Sequence, residues 1–176
     1  MKKWFTIFFL ITSNVSFSQE KPYKVGEYAK YNISYGPLDV GFGELSISKV
    51  VLTKQTPTYH IIGTGRTSKF FDIFFEVRDV YETYVDTQTF LPVKFLRDVY
   101  EGGHVINQKY DFNHAKRLVF NQTKLFEIPN DSQDMLSAFF YARTFNKEKV
   151  LLDSVFSIPI FMDDENYFLK VKYLYD

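Results

Sequence analysis

Arg143 is the charged residue of this sequence with the most informative setting. On a helical wheel it lies between Leu136 and Phe139, inside an arc of apolar side chains. A guanidinium in such a place can bind an anionic headgroup of a ligand. It can equally pack its stem and pair with a carboxylate from a neighbouring sheet. The pattern favours the structural role and leaves Arg143 as a ligand-binding candidate.

A second group of charges lies on one predicted strand, where Arg78 and Glu82 share a face and Asp79 takes the other. Solvated cross-strand ion pairs are the expected outcome, and Arg78 is kept as a further ligand-binding candidate. Glycoside hydrolysis would need two carboxylates facing each other across a cleft. The sequence contains acids but does not indicate that geometry.

The three histidines, His60, His104 and His114, lie on different segments without the close spacing of a metal motif. A Ser-His-Asp arrangement can still form in space, although no Gly-x-Ser-x-Gly elbow is present. The acidic run 163–165 is typical of a solvated turn. We therefore predict no metal, no cofactor and no catalytic residue.

Composition indicates an all-β chain with little charge bias. Aromatic residues make up 19% of 176 residues, with 20 Phe and 13 Tyr, and such side chains favour strands. Lys plus Arg and Asp plus Glu are equal at 21 each, so no bulk field attracts nucleic acid. There is no cysteine, which excludes disulfides, zinc–thiolate sites and thiol nucleophiles. The length suits one domain.

The N-terminus has the three parts of a secretory signal: Lys2 and Lys3, an apolar run over 4–11, and the small-x-small site Ser16-Phe17-Ser18. We expect residues 1–18 to be a signal peptide and residues 19–176 a single β-rich periplasmic or extracellular domain. No transmembrane segment is expected after cleavage. An uncleaved anchor is the alternative.

One helix is predicted, at about 131–145, with Asp131 and Ser132 supplying the N-cap. Its residues are apolar almost all round, so we expect it to be buried on several sides with Phe139 at the centre. Short alternating runs on either side predict strands. The expected fold is mainly β: a curved antiparallel sheet, open or a partial barrel, wrapped around this buried helix.

Three glycine positions refine the predicted sheet. The alternation changes phase at Gly43, which predicts a β-bulge or a sharp bend there. Gly63 and Gly65 share one face of their strand and leave space for the helix. Gly102-Gly103 has the composition of a two-residue hairpin turn.

The segment KFFDIFF at 69–75 is too apolar for a solvated loop. It predicts one turn of helix, a buried plug or an exposed hydrophobic lip. Four of its side chains join the ligand-binding candidates: Phe70, Phe71, Phe74 and Phe75.

The last predicted strand, 166–175, alternates up to the final residue, Asp176. A free aromatic edge of this kind invites aggregation. Either the strand pairs inward within the sheet, or further C-terminal strands complete the domain, and the pattern favours the second.

Several stretches together resemble the domain of unknown function 3108 family of exported bacterial proteins. They are Val25-Gly26-Glu27, Gly41-Phe42-Gly43-Glu44-Leu45, Phe74-Phe75-Glu76-Val77-Arg78-Asp79, the strand 81–86, Leu91-Pro92, Glu101-Gly102-Gly103 and the run 134–143. The resemblance implies a secreted, β-rich protein without an established activity, so no catalytic residues carry over. It also implies further strands beyond Asp176.

Three functions follow as hypotheses. The first is a non-enzymatic envelope module that binds or presents a lipid or another apolar client. The second is an assembly component that contacts an envelope protein through a sheet edge or the 70–75 lip. The third is a hydrolase of envelope glycans. An aromatic pocket favours the first, an exposed apolar ridge the second, and convergent acids the third.

Overall fold

The structure, a computed structural model, describes residues 22–145 and 155–172. The predicted signal peptide and the last residues of the final predicted strand lie outside the described residues.

Within these described residues there are ten strands, one short α-helix and two 3₁₀ turns. The strands are β1 (Tyr28–Tyr35), β2 (Leu38–Thr53), β3 (Thr56–Thr67), β4 (Val77–Asp86), β5 (Pro92–Glu101), β6 (His104–Asn113), β7 (Leu118–Phe120), β8 (Leu125–Glu127), β9 (Val155–Met162) and β10 (Glu165–Lys172). The helix α1 is Ser137–Tyr141, and the 3₁₀ turns are Phe71–Ile73 and Ala142–Thr144.

Strands β1 to β8 form one antiparallel sheet in strict chain order, which is not closed into a barrel. Each strand pairs with the next along the chain, and the connections between them are two to nine residues long. Gly102 and Gly103 both have positive φ, as the predicted two-residue turn requires. Strands β9 and β10 form a separate two-stranded sheet. The predicted fold class, a mainly β protein with an open antiparallel sheet and one helix, is confirmed.

The core lies between the helix-facing side of the large sheet, α1 and β9. Tyr23 packs edge-on against the ring of Phe140, with centroids 5.5 Å apart. Tyr110 of β6 packs against Phe161 of β9, with centroids 5.0 Å apart. Gln133 joins the layers, since its N–H donates to Pro159 O and its carbonyl accepts from Phe161 N, each at 2.8 Å.

The helix is shorter than predicted, and its cap is a different residue. Asp131 has a positive φ of 57° and lies outside the helix, and Ser132 comes before the bridge that Gln133 makes. Asp134 supplies the cap: its Oδ1 accepts from the N–H groups of Leu136 and Ser137 at 2.9 and 2.8 Å. The prediction failed because three acceptor side chains precede the apolar run, and only one is placed to reach those donors.

The prediction that Phe139 is the buried centre of the helix is wrong. Phe139 is 64% exposed, whereas its neighbour Phe140 is 7% exposed. Leu136 and Ala138 are also buried. The helix therefore packs through one face, and an apolar residue on the other face does not imply burial.

The glycines of the sheet give one wrong and one correct prediction. Gly43 pairs regularly with Tyr31 and Gly65, so no bulge occurs there. The irregularities lie at Val40, skipped between β1 and β2, and at Ser48, skipped between β2 and β3. A Cβ on Gly63 would lie 3.2 Å from side-chain carbons of Leu136 and Leu45, which confirms that this glycine makes room for the helix.

Candidate functional site

Arg143 pairs with a carboxylate beside the large sheet, as its structural role predicts. Its Nη1 donates to Glu27 Oε2 at 2.7 Å, and its guanidinium lies 5.8 Å from the ring centre of Tyr23. Partial burial acts to raise the pKa of Glu27, but hydrogen bonds from Arg143 and from Lys24 N–H outweigh it and lower the pKa. Glu27 therefore stays ionised, and the pair ties the end of the helix to the start of β1.

This ion pair stands at the edge of a groove between β1, β2 and the helix. The groove has a volume of about 230 Å³. Its apolar lining comes from Tyr28, Tyr31, Leu45, Phe139 and Phe140. Tyr28 and Tyr31, like Phe139, expose more than half of their side chains. The groove is thus an aromatic surface with one ion pair at its rim.

The predicted segment 69–75 contains a 3₁₀ turn and is an exposed lip. Phe70, Ile73, Phe74 and Phe75 are 64%, 79%, 72% and 52% exposed. Phe71 is half-buried beside Phe70, their ring centres 5.3 Å apart. The segment therefore combines two of the three predicted alternatives, a helical turn and an exposed hydrophobic lip. It is not a buried plug.

Arg78 anchors the lip through an ion pair with Asp72. Its two terminal nitrogens donate to the two carboxylate oxygens of Asp72 at 3.0 and 2.6 Å. Thr67 Oγ1 also donates to Asp72, and these hydrogen bonds lower the pKa of Asp72 to about 2. The guanidinium is therefore engaged in positioning the lip, which makes it a structural element of that surface.

The six candidate residues do not form one site. The carbonyl of Glu27, the partner of Arg143, accepts a hydrogen bond from Ile47 N–H, whereas Ser68 N–H, next to the lip, donates to Val40 O. Val40 and Ile47 are seven residues apart on β2, about 23 Å at strand rise. The groove at Arg143 and the lip at 70–75 are therefore separate surfaces, one beside the middle of β2 and the other near its start.

Acids and histidines are brought together in two further places. Burial, aided by the neighbouring charge of Glu101, raises the pKa of Asp79 on the helix-facing side of the sheet. On the outer side, His60 Nε2 lies 2.6 Å from Glu82 Oε2, and its Nδ1 lies 3.2 Å from Ser48 Oγ. Sequence reasoning missed the second cluster, although the alternation of β3 and β4 already places His60 and Glu82 on one face.

Residues 22–145 and 155–172 contain neither a metal-binding cluster nor a membrane-spanning helix. No three His, Asp or Glu side chains there are grouped to hold a metal ion. No helix in the same residues has the length and hydropathy needed to cross a bilayer.

The fold defines the class: a mainly β protein whose described residues form an eight-stranded meander sheet, a two-stranded sheet and one short helix. The family model described as protein of unknown function (DUF3108) matches residues 30–175. The chain belongs to this family, as its sequence motifs predicted. No curated protein and no solved structure matches it.

Proposed function

We propose that the protein is an exported binding module of the bacterial cell envelope, which holds the apolar part of a lipid or a similar client in the groove beside Phe139. Export is inferred from the N-terminal signal pattern. The binding role rests on the groove itself.

The observation that carries the proposal is the exposed aromatic lining of the groove. Phe139 belongs to a helix whose other face is buried, yet it is 64% exposed and lines the groove together with Tyr28 and Tyr31. Covering large apolar side chains is favourable by about 25 cal/mol per Å². Exposed aromatic patches of this kind are typical of binding surfaces. A ligand chain lying in the groove would bury them.

The ion pair at the rim indicates the polarity of the ligand. A guanidinium has five N–H donors in a planar fork, so Arg143 can keep its bond to Glu27 and also bind a second anion. An amphiphile with an acyl chain and a phosphate or carboxylate headgroup fits both features. Its chain would lie against Phe139, and its headgroup would reach Arg143.

The test compares two exposed phenylalanines of similar accessibility. The fluorescence of N-phenyl-1-naphthylamine, an apolar probe, is titrated with the wild-type protein, Phe139→Glu and Phe74→Glu. A charge in the groove should weaken probe binding at least tenfold, whereas a charge on the lip should leave it unchanged. Native mass spectrometry after gentle purification should show a bound amphiphile in the wild type and in Phe74→Glu but not in Phe139→Glu. Equal binding of the probe by wild type and Phe139→Glu would refute the proposal that the groove is the binding site.

A second function, contact with an envelope protein, is supported by the lip. Four large apolar side chains stand exposed on a short turn that the Asp72–Arg78 pair holds in place. A pre-ordered apolar ridge loses little conformational entropy when a partner covers it. A photo-crosslinking residue at position 74, compared with one at position 139, tests this in producing cells. A single protein adduct specific to position 74 supports the second function, and its absence rejects it.

The proposed export can be tested separately by determining the N-terminus of the mature protein. If residues 1–18 are a cleaved signal, N-terminal sequencing of the protein from the periplasmic fraction will begin at Gln19. A chain that still begins at Met1 would favour the uncleaved anchor.

A further inference from the structure

We infer that Ser48, His60 and Glu82 form an acyl-transfer site on the outer face of the large sheet. The inference is independent of the groove and concerns a different surface. It rests on a continuous line of hydrogen-bonding groups: Ser48 Oγ lies 3.2 Å from His60 Nδ1, and His60 Nε2 lies 2.6 Å from Glu82 Oε2. A hydroxyl, an imidazole and a carboxylate in this order are the three groups that activate a serine nucleophile.

The backbone accounts for the position of Ser48. In the pairing of β2 with β3, Ile47 faces Ile61 and Lys49 faces His60, so Ser48 is the extra residue of a β-bulge. A bulge redirects the side chain of its extra residue, and bulges are frequent beside active sites. Here the redirected hydroxyl reaches the imidazole of the neighbouring strand, and Ser48 is an exposed residue.

Glu82 and Tyr84 fix the imidazole. The carboxylate of Glu82 accepts from Nε2–H, which leaves Nδ1 free as the base toward Ser48. The ring of Tyr84 stacks on the imidazole with centroids 4.6 Å apart and an interplanar angle of 8°, and its hydroxyl donates to Glu82 at 3.2 Å. Ser48 Oγ also lies 3.3 Å from His60 O, so its proton has two acceptors in the resting state. Glu82 is thus a positioning residue.

The charges of the adjoining groove indicate the substrate class. His60 and Tyr84 line a groove of about 480 Å³ together with four lysines, Lys49, Lys54, Lys94 and Lys109. Lys54 and Lys109 are paired with Asp111, at 2.8 and 3.8 Å. Lys94 lies over the ring of Tyr84 at 5.2 Å. This cationic lining favours a carboxylic ester that carries an anionic group, and an ammonium is also a charge that stabilises an oxyanion.

The reaction balances without a co-reactant other than water. As Ser48 Oγ bonds the acyl carbon, its proton passes to His60 Nδ1 and a tetrahedral oxyanion forms. Collapse breaks the acyl C–O bond, and His60 returns the proton to the departing alkoxide, which gives an alcohol and an acyl-serine. Water then loses a proton to His60 and attacks the acyl carbon. Ser48 Oγ leaves with that proton, and the carboxylic acid is released.

The first experiment is covalent labelling of the full chain with a fluorophosphonate, located by peptide mass spectrometry. The label should lie on Ser48 and be absent from Ser48→Ala. The matched control is Ser34→Ala, because Ser34 is exposed and donates to a carboxylate, Asp39, at 2.7 Å but has no histidine partner. Labelling should be unchanged in that variant. No label, or label on a serine other than Ser48, overturns the inference.

The second experiment measures hydrolysis of the 4-nitrophenyl half-ester of succinic acid against 4-nitrophenyl acetate. The anionic ester should be preferred, and its rate should fall about a hundredfold in His60→Gln, since general-base catalysis contributes that much or more. Glu82→Gln should lower kcat and alter the pH profile, and Glu82→Asp should restore part of both. Because Ser48 is exposed, Ser48→Ala should remain folded and tests the inference even if His60→Gln unfolds. Equal rates for wild type and Ser48→Ala overturn the inference.

Discussion

Asp134 is an acidic residue in the interior of the protein. It is fully buried, and its carboxylate accepts from Thr83 Oγ1 at 2.6 Å and from two helix N–H groups. Burial raises its pKa to about 6 although these hydrogen bonds act to lower it. The side chain that caps the helix therefore also links the stability of the protein to pH.

The sign of this linkage can be predicted. The pKa of Asp134 is higher in the folded protein, about 6, than the ordinary value of 3.8. Stabilisation by the bound proton is complete below pH 3.8 and is lost as the pH rises through 6. We expect the free energy of unfolding in urea to fall by roughly 3 kcal/mol from this group between those limits. In Asp134→Asn this contribution should be absent.

Two comparisons isolate that effect. Asp79 also has a raised pKa, so the difference between wild type and Asp134→Asn is the informative quantity. Asp134→Ala should lose about 1 kcal/mol or more at every pH, because it removes the cap. Identical pH profiles for wild type and Asp134→Asn would contradict the assignment.

For individual residues, the sequence predicted the type of interaction but not the residue that provides the partner. It predicted that Arg143 pairs with a carboxylate, but Glu27 lies 116 residues away along the chain, and no local pattern connects them. His60 and Glu82 were each visible as titratable side chains. The bulge that brings Ser48 to His60 depends on the register between two strands, which alternation alone does not determine.

At the scale of the elements, the helix α1 has two adjacent phenylalanines, of which Phe140 is buried and Phe139 is exposed. Phe140→Ala should cost about 3–5 kcal/mol in the free energy of unfolding, because its buried ring packs against Tyr23. Phe139→Ala should cost less than about 1 kcal/mol, since that side chain is exposed. Urea unfolding measures both. Equal losses would mean that the helix is rotated from the orientation described.

The contact between the sheet and the residues leading into the helix can be probed at Gly63. Gly63→Val should cost about 1–3 kcal/mol, because even a Cβ there lies 3.2 Å from carbons of Leu136 and Leu45. Gly65→Val is the matched control on the same face of β3. The nearest atom to its Cβ would be 3.7 Å away, an ordinary contact, so its loss should be under about 1 kcal/mol. Thermal unfolding of both variants provides the comparison.

Strands were more predictable than the helix for a physical reason. Alternation along β4, β5 and β6 reports which face is buried, and turn residues such as Gly102-Gly103 mark where each strand ends. A helix that is apolar on all sides carries no such information. The exposure of Phe139 against the burial of Phe140 could be learned only from the packing.

For the molecule as a whole, the arrangement of strands predicts a gradient of local stability. The centre of the sheet, β3 to β5, is paired on both sides and carries buried residues such as Ile61, Phe95 and Val99. β1 and β10 each pair on one side among the described strands and are largely exposed. In hydrogen exchange followed by mass spectrometry, amides of β4 and β5 should exchange slowest. Protection of β10 equal to that of β4 would contradict this.

Sequence reasoning reached the global architecture but not the layout of its surfaces. The open antiparallel sheet and the family follow from alternation, turns and motifs. Sequence alone did not indicate that Arg143 and the 70–75 lip belong to different surfaces, because the backbone bonds beside them reach Ile47 in the middle of β2 and Val40 near its start. Position along a strand converts into distance only when the register and strand length are known.

The strict chain order of the large sheet also has a consequence for how the molecule assembles. Every ladder from β1 to β8 joins neighbours in the chain, so each hairpin closes a short loop and little chain entropy is lost per step. The bridge between Gln133 and Ile160 is different, because it joins residues separated by the helix and the start of β9. Folding of this topology should therefore proceed by rapid growth of the meander, with docking of β9 and β10 as the late and slower event.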